Sequence, residues 1–338
     1  MDRTYFTPRG FVHGNVAQAL VLRGEAWALC GGPNTFTRME ETRVSGAEIS
    51  SVIGSATAVA PELTSNRPDF AGMAANKPLI MGVLNVTPDS FSDGGKYAST
   101  EAAISHGEAL LQAGADIIDV GGESTRPGAA PVDPTEEARR VVPVVKALAQ
   151  RGAKISIDTR HAKVMAEAIA AGAVIVNDVS ALADPEALGV IAASTASLII
   201  MHMQGQPSTM QREPTYVWAP GDVYDFLKTR IALCTAKGIS MDRLSVDPGI
   251  GFGKTDVHNA AIIDHLAMFH GLGCVLTFGA SRKSFISRMS QGEGPEARLA
   301  GSLVVAVMAA ERGAHIQRVH DVAETRQALA VWQRLSQG

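Results

Sequence analysis

The stretch Leu79-Ile80-Met81-Gly82-Val83-Leu84-Asn85-Val86-Thr87-Pro88-Asp89-Ser90-Phe91-Ser92-Asp93-Gly94-Gly95 joins two unlike halves. Residues 79–84 are apolar and of strand length. Residues 85–95 are small, polar and acidic for the most part, and Pro88 with the Gly94-Gly95 pair stops a strand or helix from continuing. A buried strand that ends in Asn85 and opens into hydroxyls and carboxylates suggests a site at the strand's carboxyl end.

The same grammar recurs down the chain. Apolar runs at 79–84, 116–120, 154–157, 174–176, 198–201, 244–246, 274–277 and 315–318 each precede a helical pattern. Those patterns lie over 100–113, from 134 onward, and over 161–171, 185–193, 223–237, 258–270, 283–289 with 296–312, and 322–335. The runs are short and Ile/Val-rich, as parallel strands covered on both faces are. Eight such units predict an α/β fold, a (β/α)8 TIM barrel over 77–338, with a doubly wound sheet as the alternative because periodicity cannot show closure. Residues 1–76 have a different texture: short apolar runs around Gly31-Gly32-Pro33, then a Ser/Ala/Thr-rich part. They read as an N-terminal extension of unknown role, a small strand-containing arm followed by a linker over 64–78. A docking element, an oligomer contact and a partly disordered tail are all open for it.

Barrel active sites lie at the carboxyl ends of the strands, and here each end carries a polar group. In order they are Asn85; the run from Gly121 through Glu123, Thr125, Arg126 and Pro127; Asp158 with Arg160; Asn177-Asp178; His202; Asp247 with Phe252 and Lys254; Arg282-Lys283-Ser284; and Arg318 with His320. Any one of them could be an ordinary cap or turn residue. The full set is hard to attribute to chance.

Composition sets the outer limits. The chain has 338 residues, 46% hydrophobic and 19% charged, with a net charge of −4. That balance gives no reason to expect nucleic acid or an anionic membrane as partner. The start lacks the apolar run of a signal peptide, and no apolar stretch reaches the length of a membrane span. Cys30, Cys234 and Cys274 are far apart without CxxC spacing, so reduced core thiols in a cytoplasmic protein are expected rather than disulfides or a zinc site.

The motifs GVLNVTPDSFSDGG, DIIDVGGESTRPGA, ISIDT, VNDVSAL, MHMQGQP, DPGIGFGK, SRKSFI and RVHDV occur in this order. In them the chain resembles the dihydropteroate synthase family of pterin-binding barrels, over about residues 77–335. The resemblance implies a transferase of folate biosynthesis. It condenses (7,8-dihydropterin-6-yl)methyl diphosphate with 4-aminobenzoate and releases 7,8-dihydropteroate and diphosphate. It implies a pterin edge held by Asp158, Asn177, Asp247 and Lys283, with Asp158, Lys283 and Arg318 as catalytic residues. Diphosphate would meet Asn85, Arg318 and His320, with Asn85 as ligand of a Mg²⁺. The 4-aminobenzoate pocket would be Thr125, Arg126, Pro127, Phe252, Lys283 and Ser284, bordered by mobile loops at about 87–96 and 122–134, with Phe91 as a cover. Sulfonamides mimic 4-aminobenzoate in this family, and a homodimer is expected. The residue chemistry agrees: carboxylates accept paired N–H groups, an Asn both donates and accepts, and Arg presents a fork to phosphate oxygens.

Other signals carry less. Gly249-Ile250-Gly251-Phe252-Gly253-Lys254-Thr255 is not a phosphate loop, since Pro248 stands where the first Gly is required and Lys254 breaks the dinucleotide fingerprint. Glu136-Glu137 with Arg139-Arg140 reads as a solvated helix face. His106, His161, His258, His265 and His270 lack ligand spacing and read as surface residues, whereas His202 either touches a ligand or only supports the site. Three rival readings stand beside the family: a pterin-binding methyltransferase barrel, which would need neither the SRKS segment nor the Arg-x-His of the last strand; a barrel that has lost catalysis; and an aldolase using Lys283 as Schiff base.

Overall fold

The structure is a computed structural model that describes residues 2–57, 59–86, 95–124, 131–206 and 209–336. Each apolar run forms a strand: β5 (Leu79–Asn85), β6 (Ile117–Gly121), β7 (Ile155–Asp158), β8 (Ile175–Asp178), β9 (Ser197–Met201), β10 (Leu244–Asp247), β11 (Val275–Phe278) and β12 (Ile316–Val319). The strands pair in parallel in chain order. Pairing of β12 with β5, from Ile316↔Leu79 to Val319↔Gly82, closes the barrel and removes the doubly wound alternative.

The outer ring is α3 (Gly95–Gln112), α4 (Pro134–Gln150), α5 (Ala162–Ala171), α6 (Ala187–Ala192), α7 (Ala219–Ala236), α8 (Asp256–Asp264), α9 (Ser284–Met289), α10 (Leu299–Glu311) and α11 (Val322–Ser336). Local signals set several of their ends. The Asp133 carboxylate accepts from the Thr135 and Glu136 amides ahead of α4, and Thr255 with His258 forms a capping box on α8. The single helix expected over 296–312 is interrupted: a 3₁₀ turn at Pro295–Ala297 precedes α10.

Strand alternation sorts the barrel interior into layers. At the amino end Leu79, Met81, Ile117, Ile175, Ile199, Val275 and Ile316 form an apolar layer, and Phe70, fully buried, packs into it from below. Phe70 is held by a two-residue bridge to Met73. Part of the stretch expected as linker is therefore a plug in the barrel floor.

The N-terminal region is an antiparallel sheet of β1 (Arg3–Val12), β2 (Trp27–Ala28), β3 (Thr35–Ser45) and β4 (Glu48–Ser55), with helices α1 (Gly14–Leu22) and α2 (Pro61–Thr64). Strand β3 is central, with β1 on one side and β4 and β2 on the other. The sheet lies against the barrel. Arg3 donates to Asp222 (2.7 Å), Tyr5 Oη to Asp225 (2.7 Å), Arg9 to Asp264 (2.7 Å) and Asn34 Nδ2 to the Ala310 carbonyl (2.7 Å). Tyr5 is buried, its ring 5.2 Å from that of Trp218. The region is a docked element, not a free tail.

Two residues expected at the surface are buried. His270 is wholly buried, not a surface residue. Its Nε2 donates to the Arg312 carbonyl (3.0 Å) and its ring meets that of His315 edge-on at 5.3 Å, while Cys30 closes the cluster from the extension. Glu137 is also fully buried, paired at 2.7 Å with His161 Nδ1, so only Glu136, with Arg139 and Arg140, lies on the solvated face. The three cysteines are free and buried. Among the described residues no helix is long and apolar enough to cross a membrane.

Candidate active site

Alternation that puts Leu79, Ile117, Ile175 and Ile316 in the floor puts Asn85, Asp119, Asn177 and Arg318 in the opposite mouth, two or more residues along the same strands. Arg318 is the hub of the mouth. Its Nε donates to Asp119 Oδ2 at 2.6 Å and its Nη2 to Asp158 Oδ2 at 2.7 Å, while Asn177 Nδ2 donates to the same Asp119 oxygen at 3.2 Å. Two glycines border the cluster. A Cβ at Gly121 would lie 3.6 Å from the Asp158 Cβ and 3.8 Å from Asn85 Oδ1, and one at Gly279 would lie 3.8 Å from Asp247 Oδ2.

Lys283 enters from the far side, as the cap residue of α9. Its Nζ donates to the Ile250 carbonyl and lies 4.4 Å from the centroid of the Phe252 ring, a cation–π distance. The end of β10 and the loop after it thus supply Asp247, Phe252 and the Lys283 anchor together. Ser284 is exposed and accepts from Arg288 at 2.9 Å. Ser281 Oγ lies 3.1 Å from His320 Nδ1, which fixes His320 near the end of β12.

The electrostatics follow from burial. Burial raises the pKa of Asp158 above the usual carboxylate range, with Arg318 opposing and the Asp119 charge adding to the rise. Asp247 is also raised, burial outweighing the Lys283 and Gly249 contributions. Burial lowers Lys283 to about 8 against the pull of Asp247. Three acids and two cations therefore share one low-dielectric mouth, an arrangement expensive for stability and typical of functional sites.

Of the residues singled out from sequence, Asn85, Asp158, Asn177, Asp247, Phe252, Lys283, Ser284, Arg318 and His320 all lie at this end of the barrel. Thr125, Arg126, Pro127 and Phe91 lie outside the described residues. His202 is buried with its Nδ1 2.9 Å from Lys254 Nζ, which makes it a support. Asp178 is a turn residue, accepting from the Ser180 and Leu182 amides at 2.7 Å. Asp119 escapes a survey of strand ends because it sits inside the apolar run of β6. A lone acid in a doubly covered strand is the available signal. Glu123, which takes both forks of Arg160 at 2.8 Å, braces the start of the next loop.

A pterin-binding enzyme family matches residues 81–320. The dihydropteroate synthase of Escherichia coli K12 is 49% identical over 255 residues, which cover 75% of this chain and 90% of that one. The chain belongs to the dihydropteroate synthase family. Among solved structures, the Yersinia pestis dihydropteroate synthase in complex with a sulfonamide drug superposes with a TM-score of 0.75 at 44% identity, covering 79% of this chain and 97% of the other. The Xanthomonas albilineans dihydropteroate synthase in complex with 7,8-dihydropteroate gives 0.70 at 39% identity, over 80% and 98%. In each case the uncovered part of this chain is comparable in size to the N-terminal sheet.

Proposed function

We propose that the mouth around Arg318 carries the dihydropteroate synthase reaction of this chain, with the Asp119–Arg318–Asp158 cluster as the observation that carries the assignment. The enzyme is a transferase that condenses the pterin methyl diphosphate with 4-aminobenzoate. The C–O bond to diphosphate breaks with its electron pair going to the leaving group. The 4-aminobenzoate nitrogen forms the new C–N bond and gives up a proton.

In this reading Asp158, Asn177 and Asp247 receive the N–H edge of the pterin, and Lys283 donates to its acceptor side. Positive charge developing on the pterin as diphosphate departs is stabilised by the buried carboxylates, which are already oriented by Arg318 and Gly249. Arg318 and His320 face the departing diphosphate, Arg318 from its tether between two carboxylates. Phe252 and Lys283 form the described wall for 4-aminobenzoate, with Ser284 placed for the carboxylate. Thr125, Arg126 and Pro127 belong to the opposing wall by resemblance.

Donor chemistry at the mouth fits Mg²⁺: Asn85 offers a hard amide oxygen beside the acids, and Asp119 Oδ1 is buried without a hydrogen-bond partner among the described residues. Asn85 would hold the ion together with the diphosphate, and the ion would neutralise leaving-group charge. Sulfonamide binding in the 4-aminobenzoate pocket is part of the proposal, supported by the Yersinia complex. So is a homodimer, supported by α10, a mainly apolar helix that leaves Val304 60% exposed. Three free buried thiols are in keeping with a cytoplasmic location. A coupled diphosphate-release assay with both substrates, with and without Mg²⁺, tests the reading. Folded protein without turnover would overturn it.

A further inference from the structure

Lys254 is among the largest fully buried side chains of the molecule, and nothing in the chemistry above uses it. Among the described residues its Nζ meets the carbonyls of His202 (3.3 Å), Gly249 (2.8 Å) and Phe252 (3.0 Å) and His202 Nδ1 (2.9 Å), an acceptor when the ring carries its proton on Nε2. An ammonium has three protons and no lone pair, so a shell made wholly of acceptors suits it, whereas a neutral amine would turn its lone pair toward one of them. Burial, helped by the Lys283 charge, lowers its pKa well below the ordinary lysine value, and Asp247 opposes this only in part.

The segment it grips is a glycine turn with one backbone bond of its own, Phe252 N–H to the Gly249 carbonyl at 3.1 Å, and a bond from the Gly251 amide to Asn259 Oδ1 at 2.8 Å. Gly249, Gly251 and Gly253 all have positive φ (69°, 82° and 60°). A Cβ at Gly249 would sit 1.9 Å from the His202 carbonyl oxygen, and one at Gly253 would sit 2.3 Å from that of Gln204. The glycines allow the turn to lie flat on the chain after β9, and this close approach, not phosphate binding, accounts for the GIGFG pattern. Two outer bonds help: Gln211 Nε2 donates to the Gly251 carbonyl (2.6 Å) and Tyr216 Oη to the Gly253 carbonyl (2.7 Å). The near end of the turn, besides the Lys254 bond to the Gly249 carbonyl, is held by the Gly249 amide, which donates to Asp247 Oδ1 at 2.7 Å. The far end carries Phe252 and the Ile250 carbonyl that receives Lys283.

We propose that Lys254 is a positioning residue: a buried amino group that clamps the glycine turn onto the end of β9 and so places Phe252 against the second substrate. The inference rests on the pocket reading above. The pterin keeps Asp158 and Asn177, which are held on other strands, so loss of the clamp falls on 4-aminobenzoate more than on the pterin.

Steady-state kinetics with Lys254→Met test it. The KM for 4-aminobenzoate rises at least about tenfold, while that for the pterin diphosphate changes less than about threefold. A change below about twofold in the first, or equal losses in both, would overturn the proposal. Lys254→Ala with added propylammonium, which replaces the missing atoms, recovers affinity for 4-aminobenzoate, and neutral 1-propanol does not; equal rescue by both would also overturn it. Should both Lys254 variants fail to fold, Tyr216→Phe loosens the same turn from outside, and a rise of about threefold in the same KM is expected from one lost hydrogen bond. No rise there overturns the clamp. Phe252→Ala separates the two readings: if it leaves the KM for 4-aminobenzoate unchanged, the pocket itself is misread and the role of Lys254 goes with it.

Discussion

One end of the barrel and the other are built by the same eight strands, yet they obey opposite rules. At the floor, Leu79, Met81, Ile117, Ile175, Ile199, Val275 and Ile316 close around Phe70, with the small uncharged side chains of Ser156, Ser197 and Ser245 buried in register beside them. At the mouth, a few residues along those strands, the buried Asp119, Asp158 and Asn177 form one hydrogen-bonded network with the partly buried Arg318. Apolar burial of the first kind stabilises a fold, whereas desolvating charges of the second kind costs stability and is offset only by their pairing. The floor therefore adds to the stability that the large core between strands and helices supplies, and the mouth is where that stability is put to chemical use.

This contrast makes distinguishable predictions. Replacing Asp158 by Asn lowers kcat/KM by roughly 10²–10³-fold, the scale of losing one preorganised electrostatic group. It leaves the melting temperature within a few degrees, because Arg318 keeps Asp119 as partner. A variant that unfolds while retaining specific activity would break the comparison at its first step. Phe70→Ala does the reverse: it costs about 3–5 kcal/mol, as emptying a buried aromatic site does, and leaves kcat/KM of the folded fraction unchanged. Urea denaturation beside initial rates checks both.

A pH profile sharpens the account of the mouth. Lys283 is pushed down to about 8, so its ammonium is present below that pH and lost as pH rises through it. The kcat/KM for the pterin substrate should fall on that alkaline limb, and Lys283→Met should abolish the limb while lowering the plateau. A wild-type profile flat to about pH 9.5 would remove Lys283 from the charged role. The smallest effect belongs to the docked sheet. Arg3 and its partner Asp222 are partly exposed, so Arg3→Ala should cost no more than about 1 kcal/mol by denaturation. A much larger loss would show that the sheet is a structural part of the barrel and not an attachment to it.

Much of the site could be read in one dimension because parallel strands point their polar ends the same way. Asn85, Asp158, Asn177, Asp247 and Arg318 each stand at the end of an apolar run, and closure of the barrel brings them together. Asp119 is less visible because its neighbours are all apolar, and only the inward face of β6 distinguishes it. His270 and Glu137 mislead for the opposite reason: polarity suggests a surface, while His315 and His161 give them buried partners from elsewhere in the chain. The linker reading of 64–78 fails at Phe70, whose burial depends on seven residues from six strands.

What the sequence determined by itself was the repeating unit, an Ile/Val-rich strand ending in a chemically useful residue, and through its motifs the family. These are local matters of periodicity and side-chain type, carried by a few adjacent residues. What only the tertiary structure decided was long-range: the β12–β5 pairing that closes the barrel, the carboxylates that share Arg318, the docking of the N-terminal sheet and the clamp of Lys254 on the glycine turn. Most of these join residues far apart in the chain. Their energetics depend on which groups lose water together, and no local pattern of residues records that.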